Sequence, residues 1–187
     1  MIDNTIHSAV EALRQGKTLL YPTDTIWGIG CDATNADAIE QIYALKQRDH
    51  AKSMLILCTR EMLSQYVDNP SAEAVGLAIE SERPTTVIFP KAINLPLNLL
   101  AQDGSIGIRV PKMAFCQQLL QELGHPIVST SANLSGEPSP ACFGDISQAL
   151  KSRVGHIVAD RPEYNRESPS SRIVKLSATG EIIVLRE

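Results

Sequence analysis

Three features of the sequence predict an α/β fold with a sheet of mixed direction. Segments of helical period alternate with short strand-like runs along the chain, an order that sets helices against a sheet. Met54-Leu-Ile-Leu-Cys58 is continuously apolar, as in a strand covered on both faces. Runs at 173–176 and 182–185 are joined through Thr179-Gly180, a hairpin signal that adds antiparallel neighbours. With 187 residues, 43% of them apolar, residues 1–187 are expected to form one domain with a full core.

The elements follow in order. Residues 6–14 place Ile6, Val10 and Leu13 on one helical face, closed by Gly16. Residues 18–21 form a strand stopped by Pro22, which cannot donate to a ladder; 26–31 is a second short extended piece. Asn35 caps a helix through Leu45 with Ile39, Ile42, Tyr43 and Leu45 apolar. After the strand at 54–58 come helical stretches near 59–67 and 71–81. Strands at 86–89 and 105–110 precede a helix over Ala114–Leu123 that ends at Gly124. A strand at 127–129, a helix at 146–150, a strand at 156–159 and the hairpin complete the chain, and the polar, proline-bearing segment 160–171 reads as a surface loop.

A formal charge of -4 excludes a uniformly basic nucleic-acid binder, although it permits a local basic face. Cys31, Cys58, Cys116 and Cys142 contain no CxxC pair and sit in or near apolar runs, the pattern of free thiols in a reducing cytosol. No metal-ligand spacing is present, so no protein metal site is expected. The N-terminus lacks the basic and apolar regions of a signal peptide, and no run reaches the ~20 apolar residues of a membrane span. A cytoplasmic protein without a membrane partner is expected.

The densest chemistry lies in Pro126-Ile-Val-Ser-Thr-Ser-Ala-Asn-Leu-Ser-Gly136, where a strand runs into consecutive hydroxyls, Asn133 and Gly136. Such a cluster suits phosphate oxygens, a ribose or an amino-acid carboxylate. Upstream, Lys46, Arg48 and Lys52 supply the cations an anionic ligand needs. Cations at a helix C-terminus also complement the macrodipole in solvent, but Lys52 precedes a strand end, where α/β proteins bind ligands. Arg109 lies inside an apolar strand, either with its head in water at an edge or as a bidentate carboxylate clamp. Pro22-Thr-Asp-Thr25 reads by itself as a turn with an Asx cap. Gly28-Ile-Gly-Cys-Asp-Ala33 fits a dinucleotide pattern, but the glycines lie too early to open the helix capped by Asn35, so tight strand packing is their expected role. No nucleophile elbow, Walker sequence or carboxylate pair is present, so any catalysis would work by positioning and cationic stabilisation.

Tyr-Pro-Thr-Asp-Thr25, Leu-Lys-Gln-Arg48 with Lys52, Gly-Ile-Arg-Val-Pro111 and Ser-Thr-Ser-Ala-Asn-Leu-Ser-Gly136 together resemble the YrdC-like family of threonylcarbamoyl-AMP synthases in order and approximate spacing. The resemblance runs from about Leu13 to Arg186. It implies a single-domain twisted mixed sheet with flanking helices around a concave basic cleft. It also implies a nucleotidyltransferase that makes threonylcarbamoyl-AMP and pyrophosphate from L-threonine, bicarbonate and ATP with Mg²⁺. A downstream threonylcarbamoyl-transferase complex would then modify tRNA next to the anticodon. Lys46, Arg48, Ser131 and Asn133 match the family's Lys-Arg-Ser-Asn set. Arg48, Lys52, Ser105, Asn133 and Arg186 would serve ATP; Thr25, Arg109, Ser131 and Ser171 would serve threonine. Many members carry Trp-Pro-Gly-Pro where this chain has residues leading to Arg83-Pro-Thr-Thr86, and longer members carry a further C-terminal domain that this sequence is expected to lack. Two other readings use the same cleft: a non-catalytic RNA-binding module, and a paralogous nucleotide-dependent enzyme with another acceptor.

Overall fold

The computed structural model describes residues 4–161, 164, 169–177, 179 and 181–187. The strands are β1 (Leu19–Tyr21), β2 (Gly28–Gly30), β3 (Leu55–Leu57), β4 (Thr85–Phe89), β5 (Ile106–Arg109), β6 (Ile127–Ser131), β7 (His156–Ile157), β8 (Arg172–Leu176) and β9 (Ile182–Arg186). They join into one nine-stranded sheet in the order β7-β1-β2-β6-β3-β5-β4-β8-β9. The β1/β7, β3/β5 and β4/β8 pairs are parallel and the remaining pairs antiparallel. The expected mixed sheet is therefore present.

The helices are α1 (Asn4–Arg14), α2 (Ala36–Lys46), α3 (Leu63–Tyr66), α4 (Ala72–Glu80), α5 (Ala114–Leu123) and α6 (Gln148–Lys151). On α1, the expected face of Ile6, Val10 and Leu13 is buried and packs against α5, which buries Phe115, Leu119, Leu120 and Leu123. Helix α4 lies on β4 and β5. Asn35 caps α2 by accepting from the Ala38 N–H at 3.0 Å. The end of α2 is less ordinary. Gln47 adopts a left-handed conformation with φ 51°, uncommon outside glycine, and the Arg48 N–H returns to the Tyr43 carbonyl at 3.0 Å. This turn closes the helix and throws Lys46 and Arg48 to different surroundings.

Several elements are shorter than their sequence pattern suggests. The helical stretch near 59–67 reduces to α3, the helix near 146–150 to α6 behind a 3-10 turn at Phe143–Asp145, and the strand at 156–159 to β7. The apolar run at 54–58 pairs only over β3, whose Leu55 is half-buried while Ile56 and Leu57 are buried. Leu55 opens onto a cleft, so one face of this central strand is partly uncovered. A 3-10 turn at Leu97–Leu99, unmarked in the sequence reading, packs on α2. Strands β8 and β9 pair antiparallel as the hairpin signal requires; Gly180 of that signal, the first three residues, and 162, 163 and 165–168 of the 160–171 loop lie outside the described residues. Cys31, Cys58 and Cys116 are buried and free, and Cys142 is half-buried.

Candidate active site

One face of the sheet floors a cleft, and strand register fixes which side chains meet there. Ser129, Leu55, Gly107 and Ile88 are neighbours across β6, β3, β5 and β4. A second row joins Thr86, Ile173 and Arg186, with Arg109 facing Thr86 one step beyond the Val87–Ile108 pair. All eight line the cleft. A Cβ on Gly107 would lie 3.2 Å from Thr86 Cγ2 and 3.3 Å from Leu55 Cβ, so glycine keeps the floor low. The glycines of the dinucleotide-like pattern lie inside β2, ahead of a helix that starts at Ala36. Gly30 serves packing, because a Cβ there would stand 2.1 Å from the Val128 carbonyl oxygen; Gly28 lines the cleft.

Arg109 is not an edge residue. Its strand runs between β3 and β4, and only 3% of the residue is exposed. Nη1 donates to Thr25 Oγ1 at 2.8 Å and lies 3.1 Å from Asp24 Oδ1. Thr23 holds the turn that carries these partners: Thr23 Oγ1 accepts from the Thr25 N–H at 3.1 Å and donates to the Ile26 carbonyl at 2.7 Å. Asp24 turns to Arg109 and accepts from the Lys112 N–H at 3.1 Å. The Arg109 Nε has no hydrogen-bond partner although it is buried.

Lys46 also departs from the solvated helix-terminal cation. It is 1% exposed, and Nζ donates to the Ser131 and Asn133 carbonyls at 2.5 and 2.6 Å. From the other side, the Ser135 N–H donates to the Lys46 carbonyl at 2.9 Å. Ser131 Oγ donates to Asn133 Oδ1 at 2.5 Å. Lys46 thus staples the end of α2 to the 131–135 loop. Burial, then repulsion from Arg48, lowers its pKa to about 8. Arg48 turns to the cleft, its Nε and Nη2 donating to the Lys52 and Ser53 carbonyls at 2.8 Å each.

On the far side, Arg186 Nη2 and Nε donate to the Ser171 carbonyl at 2.7 and 3.2 Å, and Ser171 Oγ shares a 2.9 Å hydrogen bond with Thr86 Oγ1. Burial lowers the Arg48 and Arg186 pKa values, and Arg109 lowers that of Arg186 further. An anion in the cleft would reverse that cost.

Of the residues singled out in the sequence, Thr25, Arg48, Arg109, Ser131, Ser171 and Arg186 line the cleft together. Lys46 is buried outside the lining, and Asn133, half-buried, adjoins the lining residue Ser131 through its 2.5 Å hydrogen bond. Lys52 is exposed beside it and gives its carbonyl to Arg48. Ser105 is buried at the start of β5, where its N–H donates to Asp103 Oδ1 at 3.0 Å, away from the lining. The sequence marked Ser129 and Thr130 only as part of the hydroxyl cluster and Thr23 only as part of a turn, and Thr86, Ser139 and Ser170 carried no mark at all; all six are in the lining. Strand alternation offered one signal: Thr86, Ile88 and Gly107, Arg109 are spaced by two, as residues on one face must be.

Among the described residues lining the cleft there are three arginines and no carboxylate. This donor set suits a polyanion. A magnesium ion among these groups would find hydroxyl and guanidinium neighbours, so it fits only as a companion of phosphate oxygens and water. No group of three or more His, Cys, Asp or Glu side chains gathers among the described residues, and no helix among them is long and apolar enough to cross a membrane.

A family profile described as Sua5_yciO_yrdC, telomere recombination, matches residues 11–187. A Pseudoalteromonas translucida (strain TAC 125) protein named threonylcarbamoyl-AMP synthase is 32% identical over 183 residues, covering 96% of both chains. A Vibrio parahaemolyticus protein of the same name is 32% identical over 184 residues, covering 93% of this chain and 99% of its own. Among solved structures, E. coli YciO superposes with TM-score 0.81 at 29% identity, over 98% of this chain and 89% of its own. P. abyssi Sua5 complexed with L-threonine superposes with TM-score 0.88 at 25% identity over 97% of this chain. This chain spans about half of that Sua5, 53% of its length.

Proposed function

Because the chain belongs to the Sua5/YciO/YrdC family, we infer that it is a threonylcarbamoyl-AMP synthase, a nucleotidyltransferase acting on L-threonine, bicarbonate and ATP. The observation that carries this reading is the cleft itself: three arginines and a wall of hydroxyls, with no carboxylate in the described lining. Three anionic species must be held together there against their own repulsion.

Arg109, steadied by Thr25 and Asp24, holds the threonine carboxylate, with Ser131 and Ser171 beside it. Arg48, Arg186 and Asn133 serve the nucleotide, with Lys52 and Ser105 at its periphery; Lys46 sets the Ser131–Asn133 segment in place. Mg²⁺ bound to the ATP phosphates would supply charge neutralisation there, beside the guanidinium groups of Arg48 and Arg186. The threonine amine adds to the carbon of bicarbonate and water leaves, giving N-carboxy-threonine. A carboxylate oxygen of that carbamate attacks the α-phosphorus, the bond to the bridging oxygen breaks, and pyrophosphate departs. The carbamate is already a nucleophile, so the second step needs no general base. The chain's task is alignment, cationic stabilisation and shelter of a hydrolysable carbamate and anhydride from water. The product goes on, in the cytoplasm, to a transferase that modifies tRNA next to the anticodon.

A second reading uses the same cleft: a related nucleotide-dependent enzyme with another acceptor. Pyrophosphate release from ATP with Mg²⁺ and bicarbonate, measured with and without L-threonine, separates the two. Threonine-dependent release that Arg48→Ala and Asn133→Ala abolish is expected. Release indifferent to threonine would move the protein to the second reading, and salt-sensitive RNA binding without turnover would point to an RNA-binding module.

A further inference from the structure

The cleft contains a buried hydroxyl to which the chemistry above gives no task. Thr86 is 1% exposed and lines the cleft. It faces Arg109 on the neighbouring strand, one step beyond the Val87–Ile108 pair, at the spacing where opposite side chains touch. Its Oγ1 meets Ser171 Oγ at 2.9 Å. Ser171 Oγ also accepts from Arg186 Nη2 at 3.4 Å; the shared bond uses one of the two hydroxyl protons, so the pair retains one proton to donate and a lone pair to accept. Around Thr86 the floor is aliphatic: Ile173 is its partner on β8, and Ile88 follows two residues on, both in the lining.

An amino acid anchored by its carboxylate at Arg109 extends its β-carbon over this part of the floor. The geometry points to Thr86 as the residue that reads the β-hydroxyl of the amino-acid substrate, with Ser171 orienting it and Ile88 and Ile173 receiving the methyl group on the same carbon. This assignment rests on the threonine-substrate reading above and deepens it. One carbon bearing both a hydroxyl and a methyl matches one buried hydroxyl pair beside two isoleucines. Valine in that place would leave the Thr86–Ser171 pair facing a methyl group without a hydrogen-bond partner. Serine would leave space against the isoleucines.

The test is calorimetric binding of L-threonine, L-valine, L-serine and L-allo-threonine to the full chain, wild type and with Thr86→Val and Thr86→Ser. For wild type, valine is expected to bind at least about tenfold more weakly than threonine, the consequence of one unpaired buried hydroxyl. Allo-threonine, which exchanges hydroxyl and methyl, is expected to lose about as much. Thr86→Val should weaken threonine about 10- to 100-fold and bring the threonine-to-valine ratio close to one, while Thr86→Ser keeps the ratio within about threefold. A merely structural role would weaken all four ligands together and leave the ratio unmoved. An unmoved ratio in Thr86→Val overturns the assignment alone, as does equal wild-type binding of threonine and allo-threonine, which needs no variant to fold. Absence of threonine binding to wild type overturns the substrate reading, and this assignment with it.

Discussion

Replacing Lys46 with methionine tests whether this buried cation acts on ligand or through the loop it staples. Its pKa falls from 10.5 to about 8, which corresponds to about 3 kcal/mol spent on keeping the charge buried. Against this stand the charge-assisted hydrogen bonds to the Ser131 and Asn133 carbonyls, each contributing about 1.5–3 kcal/mol. The opposing terms nearly cancel, so at pH 7 the stability of Lys46→Met should lie within about 2 kcal/mol of wild type. Activity should not be spared. With the staple gone, the 131–135 segment shifts, and a displacement of about 1 Å at such a site costs about 100-fold in rate.

The pH dependence supplies a signature that belongs to Lys46 alone. Below pH 8 the lysine is charged in both folded and unfolded chains, and the folded state bears the full penalty. Between about 8 and 10.5 the folded chain releases the proton while the unfolded chain retains it, so this group's contribution to stability rises with pH. Urea unfolding of wild type and Lys46→Met should show wild type gaining about 2–3 kcal/mol on the variant between pH 7 and pH 10. A difference that stays flat over this range, or a variant whose kcat/KM for ATP stays within about threefold of wild type, would refute the stapling argument.

Four further outcomes follow from the site and its frame. Gly30→Ala should destabilise by about 3 kcal/mol or more in thermal unfolding, because its Cβ would meet backbone oxygen at 2.1 Å, a clash that only a strand shift relieves. Gly28→Ala, whose Cβ finds ordinary contacts at 3.4 Å, should fold and lose activity by filling the cleft. Arg109→Leu should cost about 3–5 kcal/mol in urea unfolding by removing the buried charge that Asp24 faces, and Arg109→Lys should keep more stability than activity, since an ammonium cannot reproduce the fork.

The elements legible in the sequence were those whose signals are local. The α1 face, the Asn35 cap, the Gly124 stop and the hairpin strands each depend on neighbours a few positions away. The illegible features depend on distant ones. Rules for a helix-terminal lysine place Lys46 in water; its burial depends on carbonyls 85 and 87 positions further on. Arg109 reads equally as an edge residue until Thr25, 84 positions earlier, is brought against it. Thr86 passed as an ordinary strand residue because nothing in Arg83-Pro-Thr-Thr86 announces that Ser171 will meet it. Leu55 shows the reverse: its continuous apolar run suggested cover on both faces, and only the cleft explains why one face is partly open.

The way each cation is held bears on what it can bind. Lys46 is bound by the carbonyls of Ser131 and Asn133, Arg48 by those of Lys52 and Ser53, and Arg186 by that of Ser171. Carbonyl dipoles fix direction without cancelling net charge, so the two of these that line the cleft, Arg48 and Arg186, remain available to an anion. Arg109 differs, with Asp24 at 3.1 Å offsetting much of its charge and leaving mainly a rigid donor fork. Such a fork suits one planar carboxylate, whose recognition depends on geometry, while the uncompensated cations suit phosphates, whose recognition depends on charge. The proposed partition into an amino-acid end and a nucleotide end accords with the partners of the cations, which group Arg186 with Arg48 rather than with its spatial neighbour Arg109.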